Sequence, residues 1–367
     1  MKTVFKFAIL STVGVFGYAG AASATATSNA PANQVVAGAV TQAASSAVAS
    51  VVSAGVSTAA ASVGVGGGGG GATGATPAVG GQTSDATRAL WTIDQTGLAS
   101  AAAARGIGLW VQGAYTNAES TFNKGTNNDM RFKGDIWAGS VGADYRVTQR
   151  IVLGAAVGYQ YVDVNTTFNS GKLKQTGWGV TPYAVFALTQ NYFIDVSGGY
   201  YWLDNEMQRN SNTARANYDG ERWSVGGNLN GAWKINNWQA AAAVGYLYVK
   251  ATDDAFRETG SAAQAAIQAS QVTKLGQGRL GGSLGYSLGN ITPYGMARVE
   301  HNFEQPKVSL NSGVGGQPPE ARTGYRIGAG LKFNVSSAVS GDVSANTLLG
   351  KDDYKEYGVG GTLRIAF

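Results

Sequence analysis

From Gly106 to the C-terminal Phe367, apolar and polar positions alternate with a period of two. Between Arg222 and Trp233, one face carries Trp223, Val225, Gly227, Leu229, Gly231 and Trp233. The other carries Arg222, Ser224, Gly226, Asn228, Asn230 and Ala232. Gly324 to Val335 repeats the pattern, with Tyr325, Ile327, Ala329, Leu331, Phe333 and Val335 on the apolar side. Successive strand side chains point to opposite faces, so this alternation predicts strands with one apolar and one small or polar face. The pattern predicts strands near 107–116, 133–146, 150–164, 174–188, 191–203 and 220–233. The others fall near 237–250, 274–287, 290–303, 322–335, 338–346 and 355–367.

A soluble β-sandwich also alternates, but two features favour a membrane. Aromatic residues sit near strand ends while strand middles hold Ala, Val, Leu and Gly, as an interfacial girdle requires. The links also alternate in length. Val147–Gln149, Thr189–Gln190, Lys234–Asn236, Leu288–Gly289 and Ser336–Ser337 read as tight turns. Asn117–Phe132, Asp204–Asp219, Ala251–Thr273 and Glu304–Ala321 read as longer polar loops. Short turns at one end and long loops at the other are how bacterial barrels are built. The expected fold is all-β: an antiparallel transmembrane β-barrel of about twelve strands, with an N-terminal helix inside its pore.

Composition narrows the alternatives. The 367 residues include 54 Gly, 7 Pro and no Cys, with 13% charged. The absence of Cys excludes a disulfide scaffold and any Cys-ligated zinc site. The 8 Trp, 17 Tyr and 12 Phe argue against disorder of the whole chain. Past residue 65 no run of about 20 apolar residues exists for a helical membrane bundle. The formal charge is +5, and +3 without Lys2 and Lys6 (25 basic against 22 acidic residues). With no basic cluster, nucleic acid is not an expected partner.

The N-terminal third divides into three parts. Residues 1–24 read as a cleaved signal peptide: Lys2 and Lys6, a short apolar stretch Phe7–Tyr18, then the small-x-small site Ala22-Ser23-Ala24. Export removes the chain from cytosolic ATP and nicotinamides. Residues 25–84 carry no aromatic and no charge, and Gly66–Gly71 is an unbroken glycine run. Such a segment cannot bury enough apolar area to fold alone. Its run lacks the Gly-Lys-Ser/Thr ending of a P-loop, so nucleotide binding is rejected. Val36, Val40, Ala44, Val48, Val52 and Val56 recur every four residues. Two readings fit this stripe: a helix that packs against something, or a flexible tether. Residues 85–105 read as a helix capped by Ser84, with Asp85 at its start and Arg105-Gly106 at its stop. About 20 residues give a rod of about 30 Å, the height of a bilayer core. Arg88 and Asp94 suit it poorly to lipid, so it is expected inside the barrel.

The polar face of the strands lines the interior and carries Asp144, Asp195, Arg222, Arg279, Arg298, Glu300, Arg326, Lys332, Asp342 and Arg364. Facing lipid at mid-depth, an Arg or Lys would cost about 2–4 kcal/mol. Mixed signs predict ion pairs bracing a filled lumen or a wet pore.

Tyr357, Val359, Gly361, Leu363, Ile365 and Phe367 alternate into a terminal aromatic. This resembles the last-strand signal by which the outer-membrane barrel assembly machinery recognises its clients. The block Val141-Gly-Ala-Asp-Tyr-Arg-Val-Thr-Gln-Arg-Ile-Val-Leu-Gly-Ala-Ala-Val-Gly-Tyr159 resembles the autotransporter β-domain. So do Thr181-Pro-Tyr-Ala184, Asn191-Tyr-Phe-Ile-Asp195 and Thr292-Pro-Tyr294 leading to Glu300-His-Asn302. The resemblance spans residues 106–367. It implies a monomeric twelve-stranded barrel in the outer membrane of a Gram-negative bacterium, with a helix threaded through the pore. Outer-membrane lipid and lipopolysaccharide are the expected surroundings. In the family the barrel helps carry an N-terminal passenger to the cell surface; here only Thr25 to Ser84 is available. Many members cut themselves between two Asn near the pore helix. No Asn lies between Asn33 and Asn117, so no such cleavage is expected. Asn127–Asn128 and Asn236–Asn237 fit turn chemistry.

Candidates for catalysis are few. His301, the only histidine, faces outward near a strand end, and Asn302-Phe303 follow it, so it has no serine nucleophile two positions on. A lone His makes a multi-His metal site impossible. Asp253–Asp254 and Asp352–Asp353 fall in loops, where solvated charge is the default and weak Ca²⁺ or lipopolysaccharide-bridging contacts the alternative. No enzyme and no cofactor are expected. Two functions remain. One is a translocator barrel displaying or anchoring residues 25–84; the other is a channel or structural, adhesive barrel that the same segment plugs.

Overall fold

The computed structural model describes residues 36–37, 39–44, 107–123, 129–261, 267–305, 308–309, 315–316, 321–336 and 339–367. The strands are β1 (Ile107–Ser120), β2 (Phe132–Arg146), β3 (Ile151–Thr166), β4 (Gly171–Ala187), β5 (Tyr192–Arg209), β6 (Ala214–Ile235) and β7 (Trp238–Asp253). They continue as β8 (Gln271–Tyr286), β9 (Ile291–Glu304), β10 (Val308–Ser309), β11 (Gly315–Gly316), β12 (Thr323–Asn334), β13 (Val339–Leu349) and β14 (Tyr354–Ala366). Twelve of them close into one antiparallel barrel in chain order, with β14 pairing back onto β1. The remaining pair, β10 and β11, is a two-residue ladder within the β9–β12 connection. Closure leaves no strand edge unpaired, which hydrocarbon demands of any sheet that crosses it.

The tight turns fall close to where the sequence places them. The Asn236–Asn237 turn is two residues long, and Asn236 has φ 54°, the left-handed conformation that Asn tolerates in hairpins. The expected loop Asp204–Asp219 is different. It is a continuous hairpin, registered from Asp204↔Asp219 to Arg209↔Ala214, turning only at residues 210–213. The β3–β4 and β13–β14 links are equally short, at 167–170 and 350–353. The long loops at this end are 121–131, 254–270 and 305–322.

The polarity of the wall explains the difference. Near the turn end Leu153, Val157 and Tyr159 of β3 face outward, while Gln160 faces the lumen. Four residues further, Val162 and Val164 are buried inside, and Asp163 and Asn165 face out. On β5, Leu203 and Met207 are likewise buried while Asp204 and Glu206 are exposed. The period of two persists, but the apolar side changes from outside to inside. The barrel therefore has a membrane storey, apolar outward, and above it a collar that is polar outward. A polar outer face and a change of phase read as loop in the sequence.

An aromatic belt marks the boundary. Tyr115 and Trp137 have ring centroids 4.6 Å apart, Tyr159 and Trp178 4.8 Å, Tyr200 and Trp202 5.0 Å, and Trp223 and Tyr248 5.3 Å. A second belt near the turns includes Trp238 with Tyr286 at 5.0 Å and Tyr192 with Trp233 at 5.8 Å. Trp137 and Tyr145, both outward on β2, are 8 residues apart (145 − 137). That is about 26 Å along the strand and about 20 Å along the axis at a 40° tilt. With the rings added, it approaches the apolar band height of about 25 Å in bacterial barrels.

Glycines on the inner face make room for lumenal aromatics. A methyl group at Gly179 would overlap the Tyr201 ring, and one at Gly154 would overlap Tyr183. Both tyrosines are buried. Gly113, by contrast, faces open space. Gly179→Val should therefore lower barrel stability by about 1–3 kcal/mol through overpacking. Gly113→Val should leave it nearly unchanged. Urea unfolding followed by heat-modifiable gel mobility reads both; equal midpoints for the two variants would contradict the fit.

Candidate functional site in the barrel interior

The membrane storey of the lumen is built from buried polar groups that brace one another. All ten charges read from the polar face are buried there. At the turn end Arg364 of β14 reaches over β1 to Asp144 of β2, donating from two nitrogens to the two carboxylate oxygens at 3.1 Å each. Gly108 on the intervening strand leaves that space open; a Cβ there would strike the guanidinium. Tyr183 donates to Asp144 at 3.3 Å, and Trp110 Nε1 donates to the Tyr183 hydroxyl at 3.1 Å. Asp195 accepts from Asn228 at 2.6 Å and Asn230 at 2.8 Å. Asp342 lies opposite Lys332 and accepts from Tyr294 at 2.9 Å, while the Lys332 ammonium stands 4.9 Å from that ring's centroid.

Nearer the collar, one carboxylate holds several cations. Glu300 accepts from Arg326 Nε at 2.7 Å and Arg298 Nε at 2.9 Å. Gln277 donates to Glu300 at 3.4 Å and accepts from Arg279 Nε at 2.7 Å. Arg326 continues to Glu356 at 2.9 Å and Asn346 at 2.8 Å. On the other wall Arg222 donates to Gln160 and lies 5.1 Å from the Tyr201 ring centroid. Gln160 donates to Gln175 at 2.9 Å, and Gln175 to Asn205 at 2.8 Å. Glu356 shares the inward parity of Arg364 and was available to the pattern. The inward tyrosines were not, because an aromatic in alternation reads as lipid-facing.

The collar encloses a helix. Residues 36–37 and 39–44 are helical, and Val36, Ala39, Val40 and Ala43 form one apolar cluster with the inner face of the collar. Their partners include Phe122, Met130, Phe132, Val164, Leu173, Met207, Tyr218 and Leu348. Asn302 Nδ2 donates to Gln42 Oε1 at 3.5 Å, a polar link between wall and helix. So of the valine stripe, Val36, Val40 and Ala44 are buried helical positions. Val48, Val52 and Val56 lie outside the described residues, as do the signal segment 1–24 and the expected pore helix 85–105.

The loop after β7 folds over this chamber. Phe256 stacks on Tyr218 with centroids 4.4 Å apart and planes at 15°. Arg215 and Thr259 exchange backbone bonds of 2.9 and 2.8 Å. Arg209 Nε donates to Glu258 at 2.7 Å, both side chains being buried. Nothing in the sequence pattern pairs Arg209 with Glu258.

His301 faces outward, as its parity implies; its Nδ1 is 2.8 Å from the Thr323 hydroxyl and its ring packs edge-on against Phe303. Asp253 ends β7, whereas Asp254, Asp352 and Asp353 lie in connections. Among the described residues no group of three or more His, Asp or Glu is placed to hold a metal.

A sequence profile described as the autotransporter beta-domain matches residues 109–346. The chain belongs to this family. Its barrels are outer-membrane, transport-type structures of Gram-negative bacteria rather than catalytic folds. Among solved structures, the chain is similar to the translocator domain of the autotransporter NalP from Neisseria meningitidis. That match has TM-score 0.60 and 14% identity, covering 71% of this chain and 88% of that one. The β-domain of the Bordetella autotransporter BrkA follows with TM-score 0.55 and 16% identity, covering 71% of this chain and 100% of that one. The transport unit of AIDA-I from Escherichia coli gives TM-score 0.51 and 15% identity, with coverage of 71% and 90%. At these identities the likeness is one of fold. No curated protein matches the chain.

Proposed function

We propose that this autotransporter β-domain holds its own N-terminal segment in the collar and displays the residues before it at the cell surface. The loop end faces outward, and the barrel's two termini, Ile107 and Phe367, face the periplasm. The observation that carries this reading is the burial of Val36, Ala39, Val40 and Ala43 in the collar, at the opposite end of the barrel from Ile107. Outside the barrel lies lipid, in which unpaired backbone groups are prohibitive, so this placement at opposite ends supports a connection through the lumen. The displayed segment is then the chain that precedes Val36. The outward side chains of β14, Tyr357, Val359, Leu363 and Ile365, with Phe367 following, form the surface offered to the barrel assembly machinery.

An epitope inserted after Ser28 tests the display. External protease on intact cells should remove it. Protection until the outer membrane is opened would overturn the proposal and leave a plugged structural barrel or channel.

A further inference from the structure

The outward face of the collar is charged, and its lysines are almost all matched. Lys133 and Lys355 both face Glu119 across adjacent strand pairs. Lys174 faces Asp163 and Glu206, and Lys172 is 2.8 Å from Asp163. Lys250 of β7 and Lys274 of β8 break the rule. They face each other directly in register. Directly opposed side chains on one sheet face have Cβ atoms about 5 Å apart, and like charges there are destabilising. The nearest outward carboxylates are Glu221 and Glu304. Glu221 lies one diagonal step from Lys250, opposite Thr252, and accepts the Tyr200 hydroxyl; Glu304 lies opposite Gly276. Neither makes an ion pair with either lysine.

The height of the pair says what neutralises it. Lys250 is opposite Trp223, whose ring packs on Tyr248 in the aromatic belt. Aromatic belts sit at headgroup level, so the two ammonium groups stand where lipid phosphates lie. Their long stems can rest on the rings while the charged heads reach the headgroup. We propose that Lys250 and Lys274 clamp one phosphate group of a phosphorylated glycolipid headgroup in the leaflet that surrounds the loop end. This rests on the loop end facing outward. The site differs from the collar's other outward lysines, each of which has a carboxylate directly opposite it or in an ion pair.

The test is native mass spectrometry of the folded full-length barrel with bis-phosphorylated lipid A and, in parallel, its dephosphorylated form. Wild type should retain the phosphorylated lipid more strongly. Each lysine near a charged membrane surface contributes about fivefold, so K250Q/K274Q should weaken retention about twenty-five-fold and remove the preference for phosphate. K133Q/K355Q, removing two matched lysines, should keep it. If the first double variant does not fold, as judged by heat-modifiable mobility, the single variants should each lose about fivefold. Unchanged retention in the Lys250 and Lys274 variants, or no phosphate preference in wild type, would overturn the site. Because the lipid reaches both barrel ends in detergent, this outcome is independent of the protease result, which alone decides orientation.

Discussion

Glu300→Leu is expected to destabilise the barrel by about 3–5 kcal/mol, the cost of breaking a buried ion pair from one side. Glu300 is about 1% exposed and is bonded by Arg298 and Arg326, with Arg279 linked to it through Gln277. Leucine removes the negative charge and leaves the guanidinium groups facing one another in a closed interior. Arg326 keeps Glu356, but Arg298 loses the carboxylate that its Nε donates to. The physical basis is asymmetric: a buried pair contributes little against an apolar pair, whereas an orphaned buried charge is costly. The double substitution R298M/E300L should therefore recover much of the loss. Urea unfolding midpoints in detergent, read by gel mobility, check both; a loss under about 1 kcal/mol for the single variant contradicts the network's role.

Val36→Asp is expected to open the collar without unfolding the membrane storey. Val36 is fully buried within the cluster that joins helix and collar. A carboxylate there has no partner, and burying one costs at least about 3 kcal/mol, more than a hundredfold in the closed population. The ion pairs and hydrogen bonds described for the lumenal network below join strand residues to one another, and it meets the helix where Asn302 donates to Gln42. Limited proteolysis should then cut at residues 211–213 and 259–261, exposed positions in the links of the collar. Heat-modifiable mobility should remain. Ala37→Asp, at a half-buried position on the same helix, should have a smaller effect. Identical cleavage patterns for wild type and Val36→Asp would contradict a collar packed on the helix.

The membrane storey was legible in the sequence because lipid and lumen impose opposite polarities on alternate residues. Trp223, Val225 and Leu229 against Arg222, Ser224 and Asn230 state that rule within one strand. The collar was not legible for the same reason: above the belt, water replaces lipid, and the same alternation carries the opposite meaning. Leu203 and Met207 point inward among Asp204, Glu206 and Gln208, so the stretch looks polar and irregular to a reading that expects apolar residues outside. The lumenal charges follow from parity alone, but their partners do not. Arg364 meets Asp144 across an intervening strand only because Gly108 has no side chain, and strand parity does not encode which distant positions converge. The helix was weakly signalled by Val36, Val40 and Ala44. Their small size, unpromising for an independent core, suits a helix that must fit inside a barrel.

Cross-linking tests the central claim, that residues 36–44 occupy the collar, most directly. The chain has no cysteine, so two introduced thiols report without background. Cysteines replacing Gln42 and Asn302, whose side chains meet at 3.5 Å, should be joined by a short bifunctional thiol reagent in outer membranes. The product should show shifted mobility on denaturing gels. A control pair at Gln42 and Ser287, at the opposite end of the barrel, should remain unlinked. A folded barrel in which the first pair does not cross-link, or in which both pairs do so equally, would contradict the seating of the helix.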